Sequence, residues 1–211
     1  LGGASFPIGG ASQIARHIEP VIQRAGGAVV VSAEVEQIMV EGDRAIGVRM
    51  SNGDEILSQH VISAAGLHNT YGKLIPDAVG TRLKLRDKLS AFKPSVAHLG
   101  LYIGLHGTDK DLQLEQANKW VYQDYDHDAS LAKFMAQPAP NKNTESPLNY
   151  ISFPSSKDPA WDSHYPGKST IDVISLAPFE WFKKWADKPW KSRGADYDDL
   201  KSMLAEKLLA D

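Results

Sequence analysis

The sequence contains no cysteine among its 211 residues, so disulfide frameworks, thiolate zinc sites and cysteine nucleophiles are excluded. It also lacks a strong charge of one sign: 23 Lys and Arg stand against 26 Asp and Glu, for a net charge of -3. The basic residues are scattered and form no stripe, which argues against nucleic acid as a partner.

Long apolar runs are missing as well, because no stretch approaches the roughly 20 residues that a membrane-spanning helix needs. The first residues have no basic region followed by a hydrophobic segment, so no signal peptide is indicated in this piece. A location in the cytoplasm or on a membrane surface agrees with this pattern. The chain does not begin with Met, and we expect it to be an internal piece of a longer protein.

The first third of the sequence predicts a helix followed by strands. Apolar residues recur at three- and four-residue steps between Ala11 and Ala25, and Gly26-Gly27 supplies a stop. Pro20 inside this run predicts a kink or a local break. The predicted strands, separated by turns at 41–44 and 51–54, are Ala28–Val31, Ala33–Val40, Ala45–Met50 and a closing strand at Val61–Gly66.

The remaining sequence predicts a mixed sheet with covering helices. The predicted strands are Val96–Leu105, Trp120–Tyr125, Asn149–Phe153 and Ser169–Ala177. The predicted helices are Asn69–Ile75, Thr81–Phe92, Pro178–Ala186 and Tyr197–Ala210. The fold class is therefore α/β of the α+β mixed type, with one domain at residues 1–68 and a second at 69–211.

Five segments of the chain together resemble a known family. They are Ser5–Ser12, Ala25–Val29, Val35–Ile38, Ala45–Val48 and Val61–Gly66. These segments are similar to the middle of the phytoene desaturase-type flavoproteins, and most similar to the retinol saturase and carotenoid isomerase branch. Further support for that branch comes from the amino-acid sequence around His17 and in the segments Pro20–Val29 and Ala65–Tyr71.

The resemblance implies an FAD-dependent oxidoreductase, with NAD(P) as a further cofactor to consider, acting on conjugated double bonds of an apolar retinol- or carotenoid-like polyene. It implies that residues 1–68 are part of an FAD-binding domain and that 69–211 form a substrate domain. It also implies that Val35 contacts the adenine end of FAD through its backbone. The loop at Ala64, Ala65 and Gly66 is expected to pass close to the same cofactor.

One feature of the family is absent from the sequence. No Gly-x-Gly-x-x-Gly loop follows a strand, although such a loop and the helix after it hold the pyrophosphate of a dinucleotide. We therefore expect the piece alone to be inactive and to hold FAD weakly. No residue is assigned here as a catalytic acid or base.

Two clusters have alternative interpretations. Asp124, Asp126, His127 and Asp128 carry metal-ligand side chains, but such a cluster is more typical of a solvated turn, so no metal site is predicted. The aromatic cluster Phe179, Trp181, Phe182, Trp185 and Trp190 is typical of core packing. In a protein that handles a polyene it could instead line the substrate channel or contact a membrane surface.

Two other functions stay open from the sequence. The chain could bind an apolar ligand without chemistry, or it could be a relative of the flavin amine oxidases, which share the fold but act on amines. Bound flavin, ligand-dependent quenching of tryptophan fluorescence, and amine oxidation with peroxide release distinguish the three.

Overall fold

The structure is a computed structural model, and it describes residues 5–92, 96–189 and 191–210. Contacts divide the chain into two units, of which one runs from Ile22 to Pro94 and the other joins Leu1–Val21 to Ser95–Asp211. The smaller unit is thus inserted into the sequence of the larger one. The functional division predicted after residue 68 stays a prediction.

The helices and strands, in chain order, confirm an α+β mixed fold with two antiparallel sheets. The strands are β1 (Val35–Glu41), β2 (Arg44–Met50), β3 (Glu55–Leu57), β4 (Ala97–His106), β5 (Lys119–Tyr122), β6 (Leu148–Ser152) and β7 (Lys168–Ala177). The α-helices are α1 (Ser12–Arg24), α2 (Leu67–Asn69), α3 (Asp77–Arg82), α4 (Leu85–Leu89), α5 (His127–Met135), α6 (Pro154–Lys157), α7 (Trp161–His164) and α8 (Ala195–Ala210).

The unit from Ile22 to Pro94 is built on the sheet β1-β2-β3. Both predicted turns are confirmed. Glu41 pairs with Arg44 to close the first turn. In the second, the side-chain oxygen of Asn52 accepts from the N–H of Asp54 at 3.0 Å. Because both turns join strands that are neighbours in sequence, local residue types were enough to predict them.

The helices of this unit differ in detail from the prediction. α2 continues into a π-helical turn at Thr70–Leu74, so the helix predicted before Pro76 is confirmed. The single helix predicted from Thr81 to Phe92 is wrong, because Lys84 adopts a left-handed conformation (φ 51°) and separates α3 from α4. Arg82 of α3 donates to the carbonyl of Gly42 at 2.8 Å, which fixes α3 to the first turn of the sheet.

Two predicted strands in this unit are wrong. Residues 28–31 and 61–64 belong to no strand and have no hydrogen-bonded neighbour among the described strands. Their apolar side chains are consequently exposed, and Val31 and Ile62 retain 80% and 96% of their accessible surface. High β-propensity is therefore not sufficient here, because a strand also requires a hydrogen-bonded partner.

The larger unit contains the sheet β4-β7-β6-β5, in which every described pairing is antiparallel. One side of the sheet is covered by a core of Phe134, Trp181 and Leu204, with Leu99 packed against it. Core packing is confirmed for Trp181 and Trp185, which are both buried.

The helix predicted at Pro178–Ala186 is instead two 3₁₀ turns, Phe179–Trp181 and Lys183–Trp185. Trp190 lies outside the described residues.

Helix α1 begins in one unit and ends in the other. It runs through Pro20 from Ser12 to Arg24, so the predicted break is wrong. Its first apolar residues, Ile14 and Ile18, are more than half exposed. In the larger unit, the turn before α1 is fixed by Gly9, whose N–H donates to the carboxylate of Asp158 at 3.0 Å.

Candidate functional site

The loop that ends at Gly66 lines a cavity of about 450 Å³, here called the loop cavity. Its described lining residues are Ile38, Ala45, Val61, Ser63, Ala64, Gly66, Leu67, Thr70, Tyr71 and Ile75. The cavity therefore brings together two of the four residues that the sequence implied for FAD. The other two, Val35 and Ala65, are not among these lining residues.

Hydrogen bonds hold this loop against the helix that follows it. The hydroxyls of Ser63 and Thr70 lie 2.7 Å apart, and the side chain of Asn69 donates to the carbonyl of Ala65 at 3.0 Å. Gly66 has φ 87°, a conformation that glycine adopts without strain. The loop thus has a defined shape although Ala64, Ala65 and Gly66 are all exposed.

Val35 lies at the start of β1, where it pairs with Met50 and is half-buried. Residue Glu34, just before it, accepts a hydrogen bond from the N–H of Ser51 at 2.9 Å. The backbone at Val35 is therefore part of the sheet β1-β2-β3. Its role at the adenine end of FAD stays a prediction.

The residues of the loop cavity fit the edge of a flavin nucleotide. A Cβ added at Gly66 would meet no atom within 4 Å, so the backbone there faces open space. Small side chains at Ala64 and Ala65 allow a planar group to approach the main chain closely. The apolar residues Ile38 and Val61 offer a dry wall for a ring system.

A second cavity, of about 280 Å³, lies in the larger unit on the side of the sheet opposite Leu99. Because paired residues of antiparallel strands share a face, the register places two rows of side chains beside each other. The first row is Gly100, Ile174, Tyr150 and Trp120, and the second is His98, Leu176, Leu148 and Tyr122. We call them the apolar rows, and the cavity between their side chains the sheet cavity.

The walls of the sheet cavity are largely apolar and aromatic. Trp120 and Tyr150 pack edge to face with ring centroids 4.8 Å apart. Trp120 is 58% exposed, so its ring remains accessible from the open side of the sheet. Sequence reasoning predicted these strands but missed the cavity, because the pairing of β5, β6 and β7 cannot be read from any one strand.

Glycine shapes the edge of the sheet cavity at β4. A Cβ at Gly100 would lie 2.9 Å from the hydroxyl of Tyr102, so the Tyr102 ring leans over Gly100. β4 runs unbroken from Ala97 to His106, and His98 and His106 therefore do lie on one face.

A polar row lies next to the apolar rows on the same face. It consists of Tyr102, Asp172 and Ser152, which are paired across β4, β7 and β6. The Lys157 ammonium donates to the hydroxyl of Ser152 at 2.8 Å and also to the side chain of Asn118. Burial raises the pKa of the Asp172 carboxyl, and nearby Lys157 partly offsets this rise. Burial likewise lowers the pKa of Lys157, against the attraction of Asp172.

The acidic cluster at residues 124–128 begins a helix that the sequence analysis missed. Asp126 caps α5, since its carboxylate accepts from the N–H of Ala129 at 3.0 Å, and the ring of His127 stacks on Tyr122. Residues 123–125 are bends and residues 124–128 are all exposed, as expected for a solvated turn, but the cluster ends in a helix. Asp followed by a helix-forming run is a capping signal that could have predicted this helix. No group of three or more potential metal ligands occurs within residues 5–92, 96–189 and 191–210.

No helix in the described part of the chain combines the length and the apolar character that crossing a membrane requires.

Comparison with known proteins agrees with the resemblance seen in the sequence. Residues 1–206 match the family of flavin-containing amine oxidoreductases. The chain is 39% identical to all-trans-retinol 13,14-reductase of Rattus norvegicus over 208 residues, which are 97% of this chain and 34% of that protein. It is 36% identical to the human protein of the same name over 208 residues, with the same coverage of both chains.

A third relative comes from plants. The chloroplastic prolycopene isomerase of Daucus carota is 38% identical over 113 residues, which are 52% of this chain and 18% of that protein. The chain spans about a third of the length of the retinol reductases that it matches.

Proposed function

The chain belongs to the flavin-containing amine oxidoreductase family, and from this membership we propose that it forms part of an FAD-dependent oxidoreductase acting on a polyene. The reacting group would be a conjugated double bond of a retinol- or carotenoid-like molecule. This substrate class is supported by relatives named all-trans-retinol 13,14-reductase and prolycopene isomerase, which match the chain at 36–39% identity.

The sheet cavity is the observation that carries the substrate proposal. Its volume of about 280 Å³ is just below the range, about 300–1,000 Å³, of small-molecule sites. Its walls contain the rings of Trp120 and Tyr150 and the aliphatic side chains of Leu148, Ile174 and Leu176. Such walls favour an apolar conjugated chain by burial and by ring contacts.

The loop cavity supports the cofactor proposal. Ala64, Ala65 and Gly66 would hold FAD through backbone contacts, and Val35 would contribute its backbone at the adenine end. FAD when bound supplies hydride transfer at its N5 atom. Saturation of a double bond consumes a hydride that the flavin must regain, so NAD(P)H is included in the proposal as a reductant.

The role of this chain's residues is to bind, orient and exclude water. The apolar rows would fix the plane of a conjugated ligand, since Trp120 packs edge to face with Tyr150 and is still more than half exposed. Contact of the protein with a membrane surface, from which an apolar substrate could be taken, stays a prediction.

Cofactor binding is tested by titrating the protein into FAD and following flavin fluorescence. Ala64→Trp fills the loop cavity and should weaken FAD binding at least about tenfold, because the indole occupies the space next to the loop. Ala132→Trp, on the exposed surface of α5, is the matched control and should bind FAD like the unmodified protein. Equal affinities for both variants would contradict the assignment of this cavity.

Substrate binding is tested by adding all-trans-retinol and following tryptophan fluorescence. We expect quenching that Trp120→Phe largely removes, because Trp120 lines the sheet cavity. Trp161→Phe removes a tryptophan that is not among the lining residues and should leave the quenching in place. Absence of quenching, or oxidation of amines with release of peroxide, would contradict the polyene proposal.

A further inference from the structure

The polar row begins one step beyond the apolar rows. Along β7, Asp172 precedes Ile174 by two residues, which corresponds to about 7 Å on the same face of a strand. On β6, Ser152 follows Tyr150 by the same step. The polar row does not line the sheet cavity, which lies between the two apolar rows. A ligand that is longer than the cavity and lies along the strand direction would pass Trp120 and Tyr150 and reach the polar row with one end.

The polar row contains both a donor and an acceptor. Lys157 gives two of its three N–H donors to Ser152 and Asn118, so one further donor is available for a ligand. Asp172 is half-buried, and among the described residues no side chain donates a hydrogen bond to its carboxylate. A ligand group that both donates and accepts would satisfy these two side chains together.

We infer that Lys157 and Asp172 form a subsite for the terminal hydroxyl of an apolar alcohol whose body occupies the sheet cavity. This inference rests on the proposed function and narrows its substrate class to polyenes with an alcohol end. The hydroxyl proton is donated to the Asp172 carboxylate, and the hydroxyl oxygen accepts from the Lys157 ammonium.

The chemistry of the row discriminates between three related ligands. A hydrocarbon of the same shape makes no hydrogen bond to the third N–H of Lys157 or to the Asp172 carboxylate. It is therefore bound less tightly than the alcohol, since a site that hydrogen-bonds an OH group discriminates against a ligand that lacks it. A carboxylic acid pairs with Lys157 but is repelled by Asp172 once both acids are ionised. The alcohol is the form that suits both side chains.

The subsite is tested with three probes: all-trans-retinol, its hydrocarbon analogue with a methyl group in place of the hydroxymethyl group, and the corresponding carboxylic acid. Affinities are measured from quenching of Trp120. The unmodified protein should bind the alcohol about tenfold more tightly than the hydrocarbon, the factor expected for a hydrogen bond to a charged group. It should bind the acid less tightly than the alcohol.

Lys157→Met and Asp172→Asn should reduce this tenfold preference to about one while leaving the affinity for the hydrocarbon unchanged. A fold defect would lower both affinities, so the unchanged one separates a binding role from a structural role. Ser152→Ala, which removes only a hydroxyl, is a milder second variant that should weaken the preference. Lys168→Met and Asp162→Asn are matched controls outside the subsite and should retain it.

The outcomes separate the inference from the proposal on which it rests. Equal affinity for alcohol and hydrocarbon in the unmodified protein overturns the subsite and leaves the sheet cavity intact as a polyene site. Tighter binding of the acid, or equal loss of preference in Lys168→Met, also overturns the subsite. Quenching by none of the three probes overturns both the subsite and the proposed substrate class.

Discussion

The backbone N–H of Gly9 donates to both carboxylate oxygens of Asp158 at 3.0 Å, across 149 residues of sequence. Asp158 also accepts from the N–H of Ala160 at 3.0 Å and is buried. One carboxylate thus fixes the turn at Gly9 and the start of the segment that leads into α7.

Asp158→Ala should therefore lower the free energy of unfolding by about 1.5–3 kcal/mol, the usual worth of hydrogen bonds to a charged group. The measurement is urea denaturation followed by tryptophan fluorescence. Asp162→Asn, an exposed neighbour, should change the free energy of unfolding by no more than about 0.5 kcal/mol. An unchanged midpoint for Asp158→Ala would show that water replaces the Gly9 contact at no cost.

Gly47→Ala should disrupt the sheet β1-β2-β3. Gly47 has φ 154°, and a Cβ there would lie 2.2 Å from the carbonyl oxygen of Ile56 on the neighbouring strand. Since that atom belongs to the backbone, β3 would have to move away. We expect a loss of at least about 2 kcal/mol, within the range for overpacking.

Gly104→Ala is the matched control for this substitution. It also lies within a strand, but a Cβ there would meet no atom within 4 Å. Thermal unfolding should show a clear decrease in Tm for Gly47→Ala and little change for Gly104→Ala. Similar Tm values for the two variants would mean that the sheet adapts without loss.

Asp172→Asn should change how stability depends on pH. Burial raises the pKa of Asp172. At pH values between the usual aspartate pKa and the raised one, the folded state therefore keeps a proton that the unfolded state has lost. The stability contributed by this group is therefore full at acid pH and decreases as pH rises through the raised pKa. The asparagine variant lacks this decrease.

Denaturation at several pH values from about 3.5 to 7 checks the sign, since it covers the usual aspartate pKa of about 3.9 and the region above it. As pH rises, the free energy of unfolding of Asp172→Asn should increase relative to that of the unmodified protein, so the variant becomes relatively more stable. A constant difference across the series would argue that Asp172 is as well solvated in the folded state as in the unfolded one.

Asp126→Ala should weaken the start of α5. Its side chain satisfies the N–H of Ala129, and loss of such a cap costs about 1 kcal/mol. Asp128→Ala removes an acidic residue from the first turn of the same helix without removing the cap, and it should cost less. Hydrogen exchange at Ala129 should increase only in Asp126→Ala.

Features set by neighbouring residues were predictable from the sequence, whereas features set by distant pairing were not. Asn52 and Gly53 specify a tight turn by themselves, and both hairpins of the smaller unit followed. Residues 28–31 have the same β-propensity as a true strand but no hydrogen-bonded partner among the strands that the structure describes. Local sequence does not reveal that difference.

The candidate sites divide in the same way. Ala64 and Gly66 were recognised from a contiguous motif, and both line the loop cavity. The sheet cavity and the polar row depend on the register that sets Tyr150 opposite Trp120 and Asp172 opposite Ser152. These residues are far apart along the chain, so no sequence window contains them together.

The insertion of residues 22–94 between two segments of the larger unit has a consequence for biosynthesis. At typical translation rates, the ribosome needs on the order of ten seconds to add the 149 residues that separate Gly9 from its partner carboxylate. Throughout that interval the amino-terminal segment has no docking partner at Asp158, and synthesis of the inserted unit is completed at residue 94, well before Asp158 is added. Chaperones that bind nascent chains would therefore meet an exposed amino-terminal segment while the inserted unit has had time to fold.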